Sequence, residues 1–166
     1  MSDIANRLAD TRLVAFDVDG VFTDGRFYLS DAGIESKAFN TQDGFGIRQL
    51  IMADIAVAVI SGRKSGAVER RMTELGVPHL IQGCGDKVGA LKEITAALGI
   101  TARQCAYVGD DIPDLPLLKH VGVPIAVANA VQQVRVYCDY TTSAPGGSGA
   151  VREVCELVLS ARGNSP

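Results

Sequence analysis

The stretch VAFDVDGVFTDG, residues 14–25, joins a buried-looking apolar run to three aspartates. Three apolar residues lead directly into Asp17 and Asp19, which one valine separates, and Asp24 follows after a short loop. An unpaired charge at the end of a buried strand costs free energy. We therefore expect either a cation at this point or carboxylates that take part in chemistry.

The composition is that of an ordinary globular protein. Of 166 residues, 47% are hydrophobic and 21% are charged, and the formal net charge is −3, so no basic face is indicated for nucleic acid. The apolar runs are shorter than the roughly 20 residues that span a bilayer, and the N-terminus does not read as a signal peptide. We expect one cytoplasmic domain over residues 1–166. Its four cysteines are expected to be free thiols, because their spacing is not that of a metal site.

Short apolar runs alternate with amphipathic segments along the chain. Strands are predicted at residues 12–17, 55–61, 79–83, 104–110, 124–128 and 140–142. Helices are predicted at about 45–53, 65–75, 86–98, 113–120, 130–137 and 149–161. Near-continuous apolar strands are typical of a parallel sheet that is covered on both faces. The sequence therefore predicts an α/β fold with a doubly wound, mainly parallel, Rossmann-like sheet.

Residues 26–40 interrupt this alternation. The turn sequence SDAG lies between two short strand-like segments, which predicts a β-hairpin inserted after the aspartate loop. An isolated hairpin is only marginally stable in water, and the segments FYL and AF place apolar side chains on it. We expect a partner to cover this hairpin, and folding back onto its own domain is the alternative.

Polar residues lie at or just beyond the ends of the first four predicted strands. Each of these residues, taken alone, is explained as a helix cap, a turn residue or a solvated helix residue. Together they share the carboxyl edge of the predicted sheet, where doubly wound folds bind ligands. In chain order they are Asp17, Asp19, Ser61, Arg63, Lys87, Asp110, Asp111 and Asp114.

Phosphoryl transfer is the chemistry that this set suits. Carboxylates without His or Cys select a hard cation such as Mg²⁺, and a carboxylate can attack phosphorus. The cation and Lys87 would offset the repulsion between carboxylate and phosphate. A second acid, two residues beyond the first, can protonate the leaving oxygen.

Four motifs resemble, in content and order, those of the haloacid dehalogenase superfamily of phosphatases. They are DVDG at 17–20, SGR at 61–63, Lys87, and GDDIPD at 109–114. Further similarity in NTQDGFGI and GGSGAVREVCELVL extends over nearly the whole chain. The resemblance implies a metal-dependent phosphomonoesterase.

The resemblance also implies roles for individual residues. Asp17 would be the nucleophile, and Asp19 the general acid and then the base that activates water. The Mg²⁺ ligands would be Asp17, the backbone carbonyl of Asp19, and Asp110. Ser61 and Lys87 would hold the transferring phosphoryl group.

The substrate implied is a small sugar phosphate that also carries a carboxylate, with eight or nine carbons. Arginine suits both groups because its guanidinium can donate two parallel hydrogen bonds. A surface helix position is the alternative for Arg71. The implied substrate contacts are Asn40, Thr41, Gln42, Asp43, Gly44, Arg63, Arg71 and Asp111.

Members of this superfamily usually enclose the reaction with a cap domain. Such a cap is inserted either after the first motif or between the second and third motifs. Here only the hairpin at 26–40 follows the first motif, and only one helix and one strand lie between Ser61 and Lys87. A capless fold is therefore predicted. The resemblance implies a homotetramer in which each subunit covers a neighbour's site.

Two other function classes share parts of this pattern. A signalling receiver domain also combines an acidic cluster, a hydroxyl and a lysine on a doubly wound sheet, but its phosphorylated aspartate follows the third strand. A catalytically silent assembly module is the second alternative, and the four intact motifs argue against it.

Overall fold

The computed structural model describes residues 2–163. Its strands are β1 Leu13–Phe16, β2 Tyr28–Leu29, β3 Glu35–Ser36, β4 Ala56–Ile60, β5 His79–Ile81, β6 Cys105–Gly109, β7 Val123–Ala126 and β8 Tyr140–Thr141. Six of them form one parallel sheet in the order β5-β4-β1-β6-β7-β8, and β2 pairs with β3 apart from it. Each predicted sheet strand is present within two residues of its expected bounds. The predicted doubly wound fold is confirmed.

Helices flank this sheet. They are α1 Ser2–Ala9, α2 Thr41–Met52, α3 Gly66–Leu75, α4 Lys87–Leu98, α5 Leu115–Leu118, α6 Gln132–Tyr137 and α7 Ala150–Ala161. α2 packs against α7 and α7 against α1, whereas α4 packs against α5. In the part of the chain that the structure describes, no helix is long and apolar enough to cross a membrane.

Helix α2 begins four residues earlier than the sequence pattern predicts. The side chain of Asn40 accepts hydrogen bonds from the backbone N–H groups of Gln42 and Asp43, at 2.7 and 3.3 Å. An N-cap of this kind satisfies donors that have no partner within the helix. The polar start of the helix therefore belongs to α2, although apolar periodicity begins only further along.

The centre of the sheet is buried on both faces. All four residues of β1 are fully buried, and Phe16 lies opposite Val59 of β4 and Val108 of β6. Such burial explains why these strands are continuous apolar runs. Because β4, β1 and β6 are parallel neighbours, the residues that follow them meet at one edge of the sheet.

The predicted hairpin is present, with a tight turn between β2 and β3. The backbone N–H of Ser30 bonds the carbonyl of Ile34 at 3.0 Å, and Gly33 adopts a φ of +78° within the turn. Its outward apolar side chains are 41% to 70% exposed: Phe27, Tyr28, Leu29 and Ile34. Within residues 2–163 there is no cap domain, as the sequence predicts.

Candidate active site

A cavity of about 320 Å³ lies at the carboxyl edge of the sheet. Asp17 follows β1, Ser61 follows β4 and Asp110 follows β6, so parallel pairing brings residues from three distant segments together. The cavity is lined by Asp17, Asp19, Gly25, Ser61, Gly62, Arg63, Lys87, Asp110, Asp111, Pro113 and Asp114. The eight polar residues that the sequence places at strand ends all line this cavity.

Lys87 is held at the floor of the cavity by three oxygen atoms. Its Nζ lies 2.8 Å from Asp114 Oδ1, 3.1 Å from Asp17 Oδ1 and 3.2 Å from the Tyr107 hydroxyl. Burial by itself lowers the pKa of Lys87, but the carboxylates of Asp17 and Asp114 raise it above its usual value. Lys87 therefore keeps its positive charge beside the carboxylate of Asp17.

Asp114 uses both of its oxygens inside the protein. Oδ1 accepts from the Tyr107 hydroxyl at 2.6 Å and from Lys87, while Oδ2 accepts from the backbone N–H groups of Asp110 and Asp111 at 3.0 and 3.2 Å. Its side chain is 1% exposed. Asp114 therefore fixes both the lysine and the loop that carries Asp110.

Burial and mutual repulsion raise the pKa values of the other two carboxyl groups. Burial, followed by the charge of Asp114, raises the pKa of Asp17 to about 6, although Lys87 opposes the change. Burial, followed by the charges of Asp114 and Asp17, raises the pKa of Asp110 to about 8. A cation between these carboxylates would relieve that repulsion.

The geometry of the acids fits a divalent cation. One carboxylate oxygen each from Asp17, Asp110 and Asp114 lies within 4.8 Å of the others. Because Asp114 already accepts four hydrogen bonds, Asp17 and Asp110 are the side chains with oxygens to offer a metal. An all-oxygen site of this kind suits Mg²⁺.

Gly20 makes room for the acidic cluster. It adopts a φ of +86°, which side chains other than hydrogen rarely tolerate, and a Cβ there would lie 1.9 Å from Asp110 Oδ2. The carbonyl of Gly20 accepts a hydrogen bond from Asn129 Nδ2 at 3.0 Å, and Asn129 Oδ1 accepts from Gly146 at 2.6 Å. Asn129 thus anchors the loop after β1 against the loop before α7.

Ser61 lines the same cavity as the acidic pair and comes directly after β4. It is 3% exposed, its backbone N–H bonds the carbonyl of Ile81 at 2.9 Å, and its hydroxyl accepts from the N–H of Arg63 at 3.3 Å. The hydroxyl proton remains free to donate to an anion in the cavity, because this bond uses only an oxygen lone pair.

Asp19 is held by the hairpin. Its Oδ1 accepts a hydrogen bond from Lys37 Nζ, and Lys37 also lies 3.7 Å from Glu35 Oε1. Glu35 Oε2 in turn binds Arg63 Nη2 at 2.6 Å. The ring of Phe27 lies 4.0 Å from the Arg63 guanidinium carbon. One side of the hairpin therefore faces its own domain, and the apolar side remains exposed.

The structure does not bring the segment 40–44 to this cavity. Helix α2 carries it to a second cavity, of about 250 Å³, lined by Thr41, Gly44, Phe45, Arg48, Arg71, Glu74 and Leu75. Arg71 Nη1 bonds Glu74 Oε2 there at 2.9 Å. Gln42 is exposed beside this cavity. Arg71 therefore lies with Thr41 and Gly44, apart from Asp17 within one chain.

Two residues of that segment make structural contacts within the chain. Asn40 caps α2, and Asp43 is 1% exposed, with Oδ1 accepting the backbone N–H of Arg152 at 2.9 Å. Burial raises the pKa of Asp43 despite the hydrogen bonds from Arg152 and Gly149. Asp43 thus joins α2 to the start of α7, and it does not line the Asp17 cavity.

Comparisons with known proteins place this site in a family. Residues 79–153 match the family model described as haloacid dehalogenase-like hydrolase. The chain is 47% identical over 160 residues to the 3-deoxy-D-manno-octulosonate 8-phosphate phosphatase KdsC of Yersinia pestis, covering 96% of this chain and 86% of the relative. This chain belongs to the haloacid dehalogenase-like hydrolases.

Solved structures agree with this family. The 3-deoxy-D-manno-octulosonate 8-phosphate phosphatase of Moraxella catarrhalis, in complex with a magnesium ion, a phosphate ion and a KDO molecule, matches the hydrolase with a TM-score of 0.96. It is 46% identical, and the match covers 99% of this chain and 94% of that one. A cobalt-bound phosphatase from Haemophilus influenzae matches with a TM-score of 0.92 and 41% identity, over 96% and 93% of the two chains.

Sequence reasoning missed three residues that support the site of this hydrolase. Tyr107 and Lys37 lie in segments with no motif, and Asn129 lies in a turn. The pattern places Asp114 in the cluster at the strand ends but assigns it no role. The available signal for Asp114 was its position four residues after Asp110, which a 3₁₀ turn at Ile112–Asp114 converts into a contact.

Proposed function

We propose that this hydrolase is a Mg²⁺-dependent phosphatase that releases phosphate from 3-deoxy-D-manno-octulosonate 8-phosphate (KDO 8-phosphate). The observation that carries the proposal is the Moraxella catarrhalis relative, whose structure holds magnesium, phosphate and KDO and matches this chain with a TM-score of 0.96. The cavity at the edge of the sheet offers the residues that such a reaction needs. We infer a role in lipopolysaccharide sugar synthesis, in the cytoplasm, where the four free cysteines would stay reduced.

In the first step Asp17 attacks phosphorus. Its Oδ1 is engaged by Lys87 and by the N–H of Val18 at 2.7 Å, so Oδ2 is the oxygen available for attack. As the bond from Asp17 to phosphorus forms, the bond from phosphorus to the sugar oxygen breaks. Asp19 gives its proton to that oxygen, and the sugar leaves as an alcohol.

In the second step water attacks the aspartyl-phosphate. Asp19, now ionised, takes one proton from the water, and the oxygen of the water forms a bond to phosphorus. The bond between phosphorus and the Asp17 carboxylate breaks, which restores the carboxylate and releases phosphate. Asp19 ends protonated, ready for another cycle.

Positive charge and hydrogen-bond donors stabilise the transferring group. Lys87 and the Ser61 hydroxyl face the cavity and donate to phosphoryl oxygens. Asp17 and Asp110, with the backbone carbonyl of Asp19, would hold Mg²⁺. When bound, the metal offsets the repulsion between the phosphoryl oxygens and the carboxylate that attacks.

Arg63 is the group within this cavity that suits the carboxylate of the sugar acid. Its side chain is 44% exposed and reaches the cavity rim, and its guanidinium is supported by Glu35 and by the face of Phe27. Asp111, exposed on the same rim, is placed to accept hydrogen bonds from sugar hydroxyls.

The remaining substrate contacts would come from a neighbouring subunit. Arg71, Thr41 and Gly44 line the second cavity, away from Asp17 in the same chain, and Gln42 is the exposed neighbour of Thr41 in sequence. A homotetramer built on the exposed hairpins would cover each open site and bring such a cluster to a neighbour. Leu29 and Ile34, which are 65% and 66% exposed, are the apolar surface that such an assembly would bury.

The test is release of phosphate from KDO 8-phosphate with and without Mg²⁺. We expect turnover that requires the metal and is lost in Asp17→Asn. Asp10→Asn, an exposed carboxylate change far from the cavity, is the matched control and should keep full activity. If phosphate is released from none of the sugar phosphates tested, the proposed phosphatase activity is refuted and the catalytically silent assembly module is favoured.

Two alternative functions predict different outcomes in the same assay. A phosphatase for a nine-carbon ulosonate phosphate would turn over that sugar phosphate as well as KDO 8-phosphate or better. A receiver domain would accumulate phosphorylated aspartate without steady release. Steady turnover that prefers the eight-carbon sugar contradicts both.

A further inference from the structure

The hairpin brings two cations and two carboxylates into one row beside the cavity. Asp19 pairs with Lys37, Lys37 lies near Glu35, and Glu35 pairs with Arg63. The first member of the row is the proposed acid and base, and the last is the proposed contact for the substrate carboxylate. Lys37 and Glu35, which no motif of the family includes, connect them.

Lys37 is buried and must keep a negative partner. Its side chain is 1% exposed, and an ammonium group removed from water is costly unless a charge compensates it. It bonds Asp19, while Glu35 Oε1 lies 3.7 Å from its Nζ, beyond hydrogen-bond distance. A second carboxylate therefore stands within a small movement of the lysine.

Glu35 has an oxygen to offer. Its Oε2 binds Arg63 at 2.6 Å, while Oε1 is buried and has no hydrogen bond of ordinary geometry within residues 2–163. Burial raises the pKa of Glu35, but the buried Ser65 hydroxyl, a neutral donor close to this carboxylate, helps to lower it below its usual value. Lys37 Nζ lies 3.7 Å from Oε1, and a charged donor forms a stronger hydrogen bond than a hydroxyl does, which makes Glu35 an alternative partner for Lys37.

We propose that Lys37 and Glu35 are positioning residues that release Asp19 when a carboxylate of the substrate binds Arg63. This inference rests on the proposed function, because it requires a substrate with a carboxylate near Arg63. The carboxylate of the substrate replaces Glu35 as the partner of Arg63. Glu35 then replaces Asp19 as the partner of Lys37, and the Asp19 carboxyl group becomes free to face the leaving oxygen.

The exchange keeps both cations of the row paired. Before it, Lys37 pairs with Asp19 and Arg63 with Glu35. After it, Lys37 pairs with Glu35 and Arg63 with the substrate. A phosphate ester without a carboxylate cannot start the exchange, so Asp19 stays held and turnover is slow. Neither positioning residue touches a reacting atom, and selection therefore appears in kcat rather than in KM.

Glu35→Gln is the first test, with kcat and KM measured on KDO 8-phosphate and on glucose 6-phosphate, which has no carboxylate. The amide keeps the shape but not the charge that receives Lys37. We expect kcat for KDO 8-phosphate to fall about tenfold, within the range of acid–base effects, and kcat for glucose 6-phosphate to change little. Glu93→Gln, exposed on α4, is the matched control.

Lys37→Met is the second test. Without the ammonium group, Asp19 is free for every substrate, so the ratio of kcat values for the two substrates should fall about tenfold. Lys92→Met, also exposed on α4, controls for loss of a lysine. Should Lys37→Met fail to fold, Glu35→Gln decides the matter alone.

Three results would overturn the inference. One is an equal fall in kcat for both substrates in Glu35→Gln, and another is a change in KM alone. The third is a wild-type kcat for carboxylate-bearing sugar phosphates, including 6-phosphogluconate, no higher than for glucose 6-phosphate. A wild type that rejects KDO 8-phosphate but shows the expected pattern with 6-phosphogluconate refutes the proposed substrate and supports the positioning role.

Discussion

Asp114 lies behind Lys87, with its Oδ1 2.8 Å from the lysine Nζ, while Oδ2 holds two backbone N–H groups of the loop that carries Asp110. One buried carboxylate thus orients the lysine that would meet phosphate and the loop that would meet the metal. We therefore expect Asp114 to affect activity through Lys87 and the Asp110 loop, without itself touching the reacting atoms.

Asp114→Asn should lower both kcat and stability. An amide has one acceptor oxygen, so its NH₂ group must face either Lys87 or the N–H groups of Asp110 and Asp111. We expect a loss of about 1–3 kcal/mol in the free energy of unfolding and a fall of about tenfold or more in kcat. Chemical denaturation and phosphate release measure the two effects.

Tyr107→Phe is the control for that change, since it removes one hydroxyl from the same cluster and leaves both charges. It should reduce kcat much less than Asp114→Asn does. Equal effects of the two variants would show that the Tyr107 hydroxyl is as important for positioning Lys87 as the Asp114 carboxylate, which would contradict this prediction.

Gly20→Ala should weaken Mg²⁺ binding. The added Cβ would stand 1.9 Å from Asp110 Oδ2, so the carboxylate must move. We expect the Mg²⁺ concentration for half-maximal activity to rise about tenfold, in line with disturbed metal surroundings. Gly25→Ala shares a positive φ of +89°, but its Cβ would meet nothing closer than 3.7 Å. A similar rise in Gly25→Ala would assign the effect to backbone strain instead.

Stabilisation of the fold by Mg²⁺ should increase with pH. The pKa values of Asp17 and Asp110 are raised from 3.8 to about 6 and about 8 in the folded chain, so the folded state holds protons that the unfolded state has lost. Without metal, the free energy of unfolding therefore falls as pH rises from about 4 through about 8. Mg²⁺ binds the ionised carboxylates and should restore more stability at the upper end of that window.

Thermal denaturation at about pH 5 and about pH 8, with and without excess Mg²⁺, measures this difference. Asp110→Asn should show little stabilisation by Mg²⁺ at either pH, because the variant lacks the carboxylate that would bind the metal and that titrates in this range. A shift in Tm with Mg²⁺ that shrinks as pH rises would contradict the assignment.

Leu29→Lys should break the proposed tetramer. Leu29 is 65% exposed on the hairpin, and a lysine buried in an apolar interface lacks a partner for its charge. Light scattering should detect four chains for the wild type and fewer for the variant. Met52→Lys, at a side chain that is 85% exposed outside the hairpin, should leave the assembly intact. An unchanged mass for Leu29→Lys would argue against a hairpin interface.

Most of the sheet could be predicted because buried parallel strands need continuous apolar runs, and β1, β4 and β6 have them. The start of α2 could not be predicted from periodicity, because Asn40 caps the helix before its apolar positions begin. Because this cap starts α2 at Thr41, Thr41 and Gly44 lie on a helix, where they line one cavity with Arg71.

The sequence alone determined that acids, a hydroxyl and a lysine follow the strands, and parallel order then requires them to share one edge. Only the tertiary structure decided which charges pair there. Asp114 binds Lys87 across 27 residues and Lys37 binds Asp19 across 18. Such partners depend on distance and burial in space, which strand periodicity does not encode. Asp17 and Asp19 of VAFDVDGVFTDG are therefore predictable as a site, but the residues that hold them in position are not, and Asp24 accepts from the backbone N–H of Arg26 in the following turn.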